Sequence, residues 1–441
     1  MGVWQRSAIG RTLALTDASL LTEYDRVLPG WRMEDVAGSP YCIQAYEPDP
    51  RMGGWPALAA ARRELHLRGI ELLLDFVPNH TGFDHEWVTS DPERYVLGTE
   101  QDFRAAPSDF RSVAHSGAPV YVACGRDPYF PPWRDVAQLN YFNPDTRAAM
   151  VTTLRLVAEH CDGIRCDMAM LALNRVFERT WRHLLREKWP PPHGEFWSDA
   201  TRAVPVLTYL AEVYWDLEGE LLDQGFDFAY DKRLLDALHS STSGPRIRKL
   251  LSTDEPPGNR LARFLENHDE PRSVAALGPR LPSAAGLLMT LPGMRFVFDG
   301  QVEGSRIRAP VQLGRWPDEP VDEDVRALYD RLLPLASDDL FHDGEWMLLP
   351  VFPAWDHTSD GVVAYRWRTA VALAVAVLNV SSVTAQAHVA LAGHLPPAAA
   401  FEFEDRLTGV RYPRTREALE RTGLYVRLEA GGAHLFLVHP S

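Results

Sequence analysis

Four short clusters of polar residues each follow an apolar run of the chain. Their carboxylates, imidazoles and one guanidinium can transfer protons, attack an electrophilic carbon or stabilise developing charge. Each cluster alone also fits a structural turn or a buried ion pair. Charged groups are costly inside a core, so four such ends in one chain predict a shared pocket. The clusters are residues 75–80 (DFVPNH), 163–167 (GIRCD), 211–214 (AEVY) and 265–269 (LENHD).

Two of these clusters supply carboxyl groups in different surroundings. Arg165 and Asp167 are two residues apart, so on a strand they face the same side, where the guanidinium stabilises an ionised Asp167. Glu212 lies among apolar and aromatic residues, and burial favours the protonated carboxyl that a general acid needs. An ionised Asp and a protonated Glu are the pair that a glycosidase needs. Asp269, beside His268, would be a third carboxylate.

The four clusters can form one pocket only if the strands that precede them end close together in the fold. Short apolar runs alternate with helical patterns, as in the predicted helix at 57–68, the strand at 71–77, the helix at 144–160 and the strand at 162–168. This alternation predicts a parallel sheet with helices outside it, and a (β/α)8 barrel has its active site at the carboxyl ends of the strands. Short strand-like runs separated by turns fill the last hundred residues or so, which predicts a β-sandwich.

The composition restricts the class of protein and its partners. The chain has 441 residues, of which 46% are hydrophobic, enough for a large core and for two to four domains. The net charge of −15 argues against nucleic acid and anionic membrane surfaces as partners. The four cysteines form no C-x-x-C pair, which favours free thiols in a reducing compartment. With no signal-peptide pattern at the start, the sequence predicts a cytoplasmic protein.

The four clusters, in this order, resemble the four ordered motifs of the α-amylase family, glycoside hydrolase family 13. Residues 138–140 (QLN) are similar to a further motif of that family. The resemblance covers about residues 1–336 and implies an α/β fold with a (β/α)8 TIM barrel, a domain B inserted after strand 3, and a C-terminal all-β sandwich. The implied limits are 1–79 and 143–336 for the barrel, 80–142 for domain B and 340–441 for the sandwich.

The resemblance also implies roles for individual residues. Asp167 would be the nucleophile, Glu212 the acid/base, and Asp269 the residue that stabilises the transition state. The substrate-binding residues would be His80, Arg165, His268, Asp75 and Asn79. The implied partner is a carbohydrate, and the implied reaction is retaining hydrolysis of α-glucosidic bonds in α-glucans or oligosaccharides through a covalent glycosyl–Asp intermediate.

Two other functions remain open from the residues alone. A transglycosylase or isomerase of the sucrose or trehalose type passes through the same intermediate and differs in its acceptor. A non-catalytic carbohydrate-binding scaffold is a more remote alternative, since Asp167, Glu212 and Asp269 are all present. No cofactor is required by the reaction. Calcium stays open, with Asn79 as its candidate ligand, although the residues after Asp167 (MAML) offer no oxygen ligand for a hard cation.

Three further expectations concern the start, the last barrel strand and the aromatic residues. Residues 1–4 (MGVW) look like the end of the family's first strand, so the barrel would begin with an incomplete strand and the chain would be truncated. Residues 299–304 (DGQVEG) are similar to the family's Gly-x-Glu end, with a structural role for Glu303. Aromatic residues in predicted loops are candidates for stacking on sugar rings. They are Tyr129, Phe130, Trp133, Trp197, Trp215 and Trp316.

Overall fold

The structure is a computed structural model that describes residues 2–185, 188–240, 244–253 and 258–441. Met1, the first residue of the predicted incomplete strand, lies outside the described residues. The chain divides into two compact units. One contains Met1–Tyr230 and Ala309–Pro317, and the other contains Asp231–Arg308 and Asp318–Ser441. The domain limits implied by the resemblance remain predictions.

The first unit alternates strands and helices as the apolar pattern predicts. Its strands are β1 (Trp4–Arg6), β2 (Ile43–Pro48), β3 (Leu73–Phe76), β4 (His80–Gly82), β5 (Leu97–Gly98), β6 (Phe110–His115), β7 (Ala118–Gly125), β8 (Trp133–Gln138), β9 (Gly163–Cys166), β10 (Thr208–Ala211) and β11 (Phe228–Tyr230). Its helices are α1 (Ala8–Ala14), α2 (Ala18–Val27), α3 (Gly54–His66), α4 (Glu86–Ser90), α5 (Glu100–Ala105), α6 (Pro144–Ala158), α7 (Asn174–Leu185), α8 (Phe196–Ala203) and α9 (Glu218–Asp223).

Strands β3, β9, β10 and β11 are neighbours in one parallel sheet. Every residue of β9 is buried, because the sheet is covered on both faces. Phe76 of β3, Cys166 of β9 and Ala211 of β10 lie in one row of the register. The residues that follow them therefore emerge at the same edge of the sheet, where the sequence predicted the pocket.

Helix α6 begins where the sequence predicted. The side chain of Asn143 accepts a hydrogen bond from the Asp145 backbone N–H at 2.9 Å, and Pro144 occupies the first turn. The helix carries the chain from the end of the inserted segment to β9.

The inserted segment after β3 forms an antiparallel sheet. Its strands are arranged in the order β4-β8-β7-β5, and β6 also pairs with β7. The first strand, β4, pairs with the last, β8, so that His80 lies opposite Gln138. The insertion thereby returns the chain to the place where it left the parallel sheet.

Strands β1 and β2 pair with each other in an antiparallel direction. Successive strands of a (β/α)8 barrel run parallel, so these two are not consecutive barrel strands. The sequence predicted that residues 1–4 end a first barrel strand, but β2 is not a parallel partner for that strand. The hydrogen-bonded pairs of the described residues do not close a ring of eight strands. Trp4 still contacts the sheet, since its indole Nε1 donates to the Asp75 carbonyl oxygen at 2.6 Å.

The second unit combines helices, one short parallel strand pair and an antiparallel domain. Its helices are α10 (Lys232–His239), α11 (Gly244–Leu251), α12 (Ser273–Leu277), α13 (Leu281–Thr290), α14 (Glu323–Ala336), α15 (Leu340–Asp343) and α16 (Arg416–Thr422). Its strands are β12 (Leu261–Arg263), β13 (Met294–Arg295), β14 (Glu345–Leu348), β15 (Val351–Pro353), β16 (Val362–Arg368), β17 (Leu373–Asn379), β18 (Ala385–Val389), β19 (Ala400–Asp405), β20 (Arg411–Thr415), β21 (Leu424–Leu428) and β22 (Ala433–Pro440).

The C-terminal strands form the predicted β-sandwich. One sheet has the order β14-β16-β17-β22-β19-β20, and the other has the order β15-β18-β21. Apolar side chains of both sheets, among them Val375, Phe403 and Val426, share one core. Helix α13 packs against the first sheet, where the Trp367 indole donates to the Thr290 carbonyl oxygen at 2.6 Å.

Two smaller findings concern Glu303 and the possibility of a membrane segment. Glu303 pairs with Arg326 of α14 at 2.6 Å, which fits the structural role expected for it. Among the helices of the described residues, none combines the length and the apolar character needed to cross a bilayer.

Candidate active site

Three carboxylates surround a single guanidinium at the carboxyl edge of the parallel sheet. Arg165 Nη1 lies 3.0 Å from Asp75 Oδ1 and 3.0 Å from Asp167 Oδ1, and Arg165 Nη2 lies 2.6 Å from Glu212 Oε2. All four side chains are more than nine-tenths buried. The predicted alignment of Arg165 with Asp167 is therefore present, and the guanidinium bridges the two candidate catalytic carboxylates.

The surroundings of Glu212 are more polar than the sequence suggested. Its Oε2 accepts the Met168 backbone N–H at 2.8 Å and forms an ion pair with the guanidinium, and its Oε1 accepts the Tyr214 hydroxyl at 2.7 Å. The sequence placed Glu212 among apolar and aromatic residues, and the loop after β9 adds a backbone donor to that setting. Two hydrogen bonds and one ion pair fix the position of a group that is only 2% exposed.

The backbone on both sides of this site adopts left-handed conformations. Met168, which follows Asp167, has φ +45°, and the consecutive Trp215 and Asp216 have φ +65° and +58°. Such values cost about 1–2 kcal/mol per residue without glycine. Strain of this kind persists where the surrounding structure enforces it, most often at functional sites. Here the turn at Met168 is what aims its N–H at Glu212.

Two tyrosines flank the guanidinium of Arg165. Its central carbon lies 5.4 Å from the Tyr41 ring centre and 5.8 Å from the Tyr230 ring centre. Burial acts to lower the pKa of Arg165, but the neighbouring Glu212 carboxylate, then the two tyrosines and Asp75, raise that pKa well above its ordinary value. Burial also raises the pKa of Tyr230 to about 12, so its hydroxyl keeps its proton. The site thus holds one permanent positive charge.

His80 is neutral in its surroundings. Burial lowers its pKa to about 4, and a hydrogen bond to the Tyr41 backbone opposes this only in part. The Asn79 amide Nδ2 lies 3.2 Å from His80 Nδ1; since an amide nitrogen only donates, Nδ1 accepts and Nε2 carries the proton. The His80 ring also makes an edge contact with Trp133 at 5.4 Å. The one ring proton of the neutral imidazole is thus the donor to the Tyr41 backbone.

Asn79 and Gln138 form a reciprocal amide pair. Asn79 Nδ2 donates to Gln138 Oε1 at 3.2 Å, while Gln138 Nε2 donates to Asn79 Oδ1 at 2.9 Å. The oxygen that would bind calcium is therefore already an acceptor. No group of three His, Cys, Asp or Glu side chains in the described ranges could hold a metal ion. Calcium also takes amide and backbone carbonyl oxygens as ligands, and Asn79 stays the candidate ligand that the sequence predicts.

His268 and Asp269 lie in the second unit, on the loop that follows β12. The strand ends at Arg263, so the alternation of a strand no longer forces these neighbours apart. Asn267 Oδ1 accepts the backbone N–H groups of Asp269 and Glu270 at 2.9 Å each, and His268 Nε2 lies 3.0 Å from Asp269 Oδ2. Both predicted residues therefore share one short turn.

A buried ion pair joins the two ends of that turn. Arg272 Nε lies 3.1 Å from Glu266 Oε1, and Glu266 Oε2 accepts the Ser273 backbone N–H at 2.5 Å. Arg272 also donates to the Asp299 carbonyl oxygen at 2.9 Å. Burial raises the pKa of Glu266, against the hydrogen bonds from Ser273 and the charge of Arg272. The pair holds residues 267–271 in place.

The aromatic residues proposed to stack on sugars divide into different environments. Trp197 is fully buried in α8, where its Nε1 donates to the Ala169 carbonyl oxygen at 2.8 Å, so it is not available to a sugar. Tyr129 meets Trp215 edge-on with ring centres 4.9 Å apart, and its hydroxyl accepts from Arg179 at 3.0 Å. Phe130 and Trp316 are exposed, and Trp133 packs on His80 as described.

Sequence reasoning missed three tyrosines at this site. Tyr41 lies in a loop, where no periodic pattern of residues predicts which side chains are buried. Tyr230 is the last residue of β11, and no cluster of polar residues follows that strand in the sequence analysis. Tyr214 stood within the third cluster but two residues beyond Glu212. Strand alternation could not have placed it, because β10 ends at Ala211, before Glu212.

Comparison with known proteins was made by sequence and by fold. No protein-family model matches the chain. The α-amylase MalA of Haloarcula japonica is 27% identical over 330 residues, which cover 72% of this chain and 44% of that protein. α-Amylase 3 of Dictyoglomus thermophilum is 24% identical over 304 residues, covering 62% and 56%. The chain thus spans about half the length of these relatives.

Solved structures share the fold over most of the chain. A noncanonic maltogenic α-amylase, AmyB of Thermotoga neapolitana, superposes with a TM-score of 0.67 at 21% identity, over 91% of this chain and 85% of that one. An α-amylase of Lactobacillus plantarum superposes with a TM-score of 0.65 at 19% identity, over 99% and 97%.

Fold and site together define a class of α/β proteins with a TIM-barrel fold, buried carboxylates at the strand ends and a C-terminal β domain. The four ordered motifs and the sequence relatives narrow that class. In sequence and in fold the chain is similar to proteins named α-amylase, as the resemblance of its four motifs implies.

Proposed function

We propose that this protein is a retaining glycoside hydrolase that cleaves α-glucosidic bonds in α-glucans or oligosaccharides. The observation that carries the proposal is the contact of one guanidinium, that of Arg165, with both Asp167 and Glu212. A single rigid fork that contacts both carboxylates holds them close together, and a retaining enzyme needs its two carboxyls about 5–5.5 Å apart. The names of the relatives, α-amylases and α-glucosidases, support the substrate class.

In the first step, Asp167 attacks the anomeric carbon and Glu212 gives a proton to the leaving oxygen. The carbon–oxygen bond to the leaving sugar breaks as the bond to Asp167 forms. In the second step, Glu212 takes a proton from water, and that water displaces Asp167. Arg165 keeps Asp167 oriented for attack.

The remaining site residues bind the sugar in this proposal. His80, which burial keeps neutral, is proposed to contact a sugar hydroxyl from the start of β4. Asp75 contacts the same guanidinium as Asp167 and helps to fix it. From the family resemblance alone we also propose Asp269 as the residue that stabilises the transition state and His268 as a sugar-binding residue.

The test uses maltoheptaose with the wild-type protein and with Glu212→Gln. We expect shorter maltooligosaccharides whose newly formed reducing ends are first of the α-anomer, observed by proton NMR. Glu212→Gln should lower the rate about 10²–10⁴-fold, the usual contribution of a general acid. Products longer than seven sugars would favour the transglycosylase, and wild-type rates in Glu212→Gln would contradict the proposal.

The location of the protein is a separate part of the proposal. Cys42, Cys124, Cys161 and Cys166 are all free and buried. Free thiols of this kind support a reducing compartment, and we propose the cytoplasm. Fractionation of cells that express the natural gene, followed by antibody detection, tests this; recovery from the medium would contradict it.

A further inference from the structure

An exposed row of aromatic rings crosses the smaller sheet of the β-sandwich. Phe352 of β15 lies directly opposite His388 of β18, which in turn lies opposite Tyr425 of β21. Their neighbours along each strand point into the core, as in Ala387 and Val426. The three rings therefore stand on the solvent face of the sheet, about 4.8 Å from one strand to the next.

Trp355 extends this row beyond the end of β15. Its ring centre lies 6.4 Å from that of His388, and the centre of His388 lies 5.5 Å from that of Tyr425. Trp355 is 81% exposed, Phe352 54% and Tyr425 38%, although these are large apolar side chains. We call Phe352, Trp355, His388 and Tyr425 the ring surface.

Polar groups lie among the rings in a hydrogen-bonded chain. The Tyr425 hydroxyl donates to Gln386 Oε1 at 2.7 Å, and Gln386 Nε2 donates to Asp356 Oδ2 at 3.3 Å. Asp356 is itself fixed by Thr358, whose backbone N–H donates to it at 2.9 Å. A surface of aromatic faces with fixed amide and carboxylate groups can stack on sugar rings and bind their hydroxyls at the same time.

His388 carries an unmet hydrogen bond within the ring surface. Its Nδ1 is buried and has no partner among the described residues. An unsatisfied buried nitrogen costs about 1–3 kcal/mol. Packing between aromatic rings holds His388 in this orientation despite that cost.

The size of the ring surface favours a small ligand over a protein partner. At about 200 Å² per aromatic side chain, the exposed fractions of Trp355, Phe352 and Tyr425 amount to roughly 350 Å². A stable protein interface buries about 800 Å² on each partner. The rings could therefore supply less than half of such an interface.

The ring orientations favour a curved chain over a flat one. The plane of His388 is tilted by 78° to that of Trp355 and by 50° to that of Tyr425. The four rings of the ring surface therefore do not lie in one plane. An α-linked glucan bends from one sugar to the next and can meet each ring in turn.

We propose that the ring surface binds a single α-glucan chain, as a second site built from residues other than those of the candidate active site. The choice of an α-glucan rests on the proposed function, whereas the presence of a sugar site rests on the rings alone. Such a site would keep the protein on a polymeric substrate between cleavages.

The test compares Trp355→Ala and Phe352→Ala with the control Val371→Ala, which removes a 96% exposed apolar side chain from another hairpin of the same sandwich. Each is run through native gels that contain glycogen, and through gels with a neutral β-glucan. We expect Trp355→Ala to weaken the apparent Kd for glycogen about tenfold, with Val371→Ala unchanged. Retardation by the β-glucan should be absent throughout. Cleavage of a short chromogenic maltotrioside should be equal in all variants, which also shows that they are folded.

The outcomes separate this proposal from the proposed function. Equal retardation of Trp355→Ala and wild type by glycogen would overturn the ring surface even in an active enzyme. Ring-dependent retardation in a protein that cleaves no α-glucan would support the surface and reject the hydrolase. Retardation by the β-glucan alone would overturn the choice of an α-glucan. A dimer seen by sedimentation in wild type and lost in Trp355→Ala would overturn the sugar site in favour of a contact between copies.

Discussion

Replacement of Arg165 tests the architecture of the site most deeply. Its guanidinium contacts three buried carboxylates, so Arg165→Leu leaves three negative groups with no cation among them. Removing one partner of a buried ion pair costs about 3–5 kcal/mol, because the other charge stays buried. We expect at least this loss in the free energy of unfolding, measured with urea at about pH 8.

The pH dependence identifies the cause of that loss. Without the guanidinium, the folded variant gains stability when its carboxylates take up protons, so the deficit relative to wild type should shrink toward about pH 5. Arg165→Lys keeps one charge without the fork, and should fold while losing most of its turnover. The control Arg263→Leu breaks another buried pair, with Asp231, and should lose stability but keep turnover. An Arg165→Leu variant within about 0.5 kcal/mol of wild type, or a deficit independent of pH, would refute the reasoning.

Three further predictions concern groups that support the site. Burial lowers the pKa of His85 from 6.5 to about 4, so its neutral form contributes stability that is complete above about pH 6.5 and falls with decreasing pH. Between about pH 7 and about pH 5, the free energy of unfolding of wild type, measured with urea, should therefore fall by about 2 kcal/mol more than that of His85→Asn. An equal fall in the two proteins would contradict this. Gln138→Ala leaves the Asn79 amide without its partner and should destabilise the protein by about 1–3 kcal/mol in the same assay; no change would argue against the amide pair. Arg272→Met removes the ion pair with Glu266 and should cost about 3–5 kcal/mol together with a lower kcat, whereas an unchanged kcat would show that the turn does not depend on it.

The strand ends could be predicted because their signal is local. Asp167 and Glu212 each follow a short apolar run, and in a parallel sheet the register alone brings such ends to one edge. The helix start at Asn143 was predicted for the same reason, since a cap and a proline are readable from adjacent residues. The β-sandwich followed from the change of pattern after the last long helix.

The features that could not be predicted depend on residues far apart in the chain. Tyr41 reaches Arg165 from a loop without periodicity, 124 positions earlier in the numbering. The backbone N–H of Met168 donates a hydrogen bond to Glu212, and it points there only because Met168 adopts a left-handed conformation. The antiparallel pairing of β1 with β2 is equally invisible, because pairing direction is set by the path of the chain between them.

The covalent intermediate is the central claim of this account. Glu212→Gln should be incubated with α-glucosyl fluoride, whose fluoride leaves without a proton while the bond from the sugar to Asp167 forms. The second step then lacks its base, so the intermediate should accumulate. Mass spectrometry of a peptic digest should find one glucosyl group on the peptide that contains Asp167. A digest with no glucosyl adduct while the fluoride is consumed, or an adduct on another residue, would contradict the account.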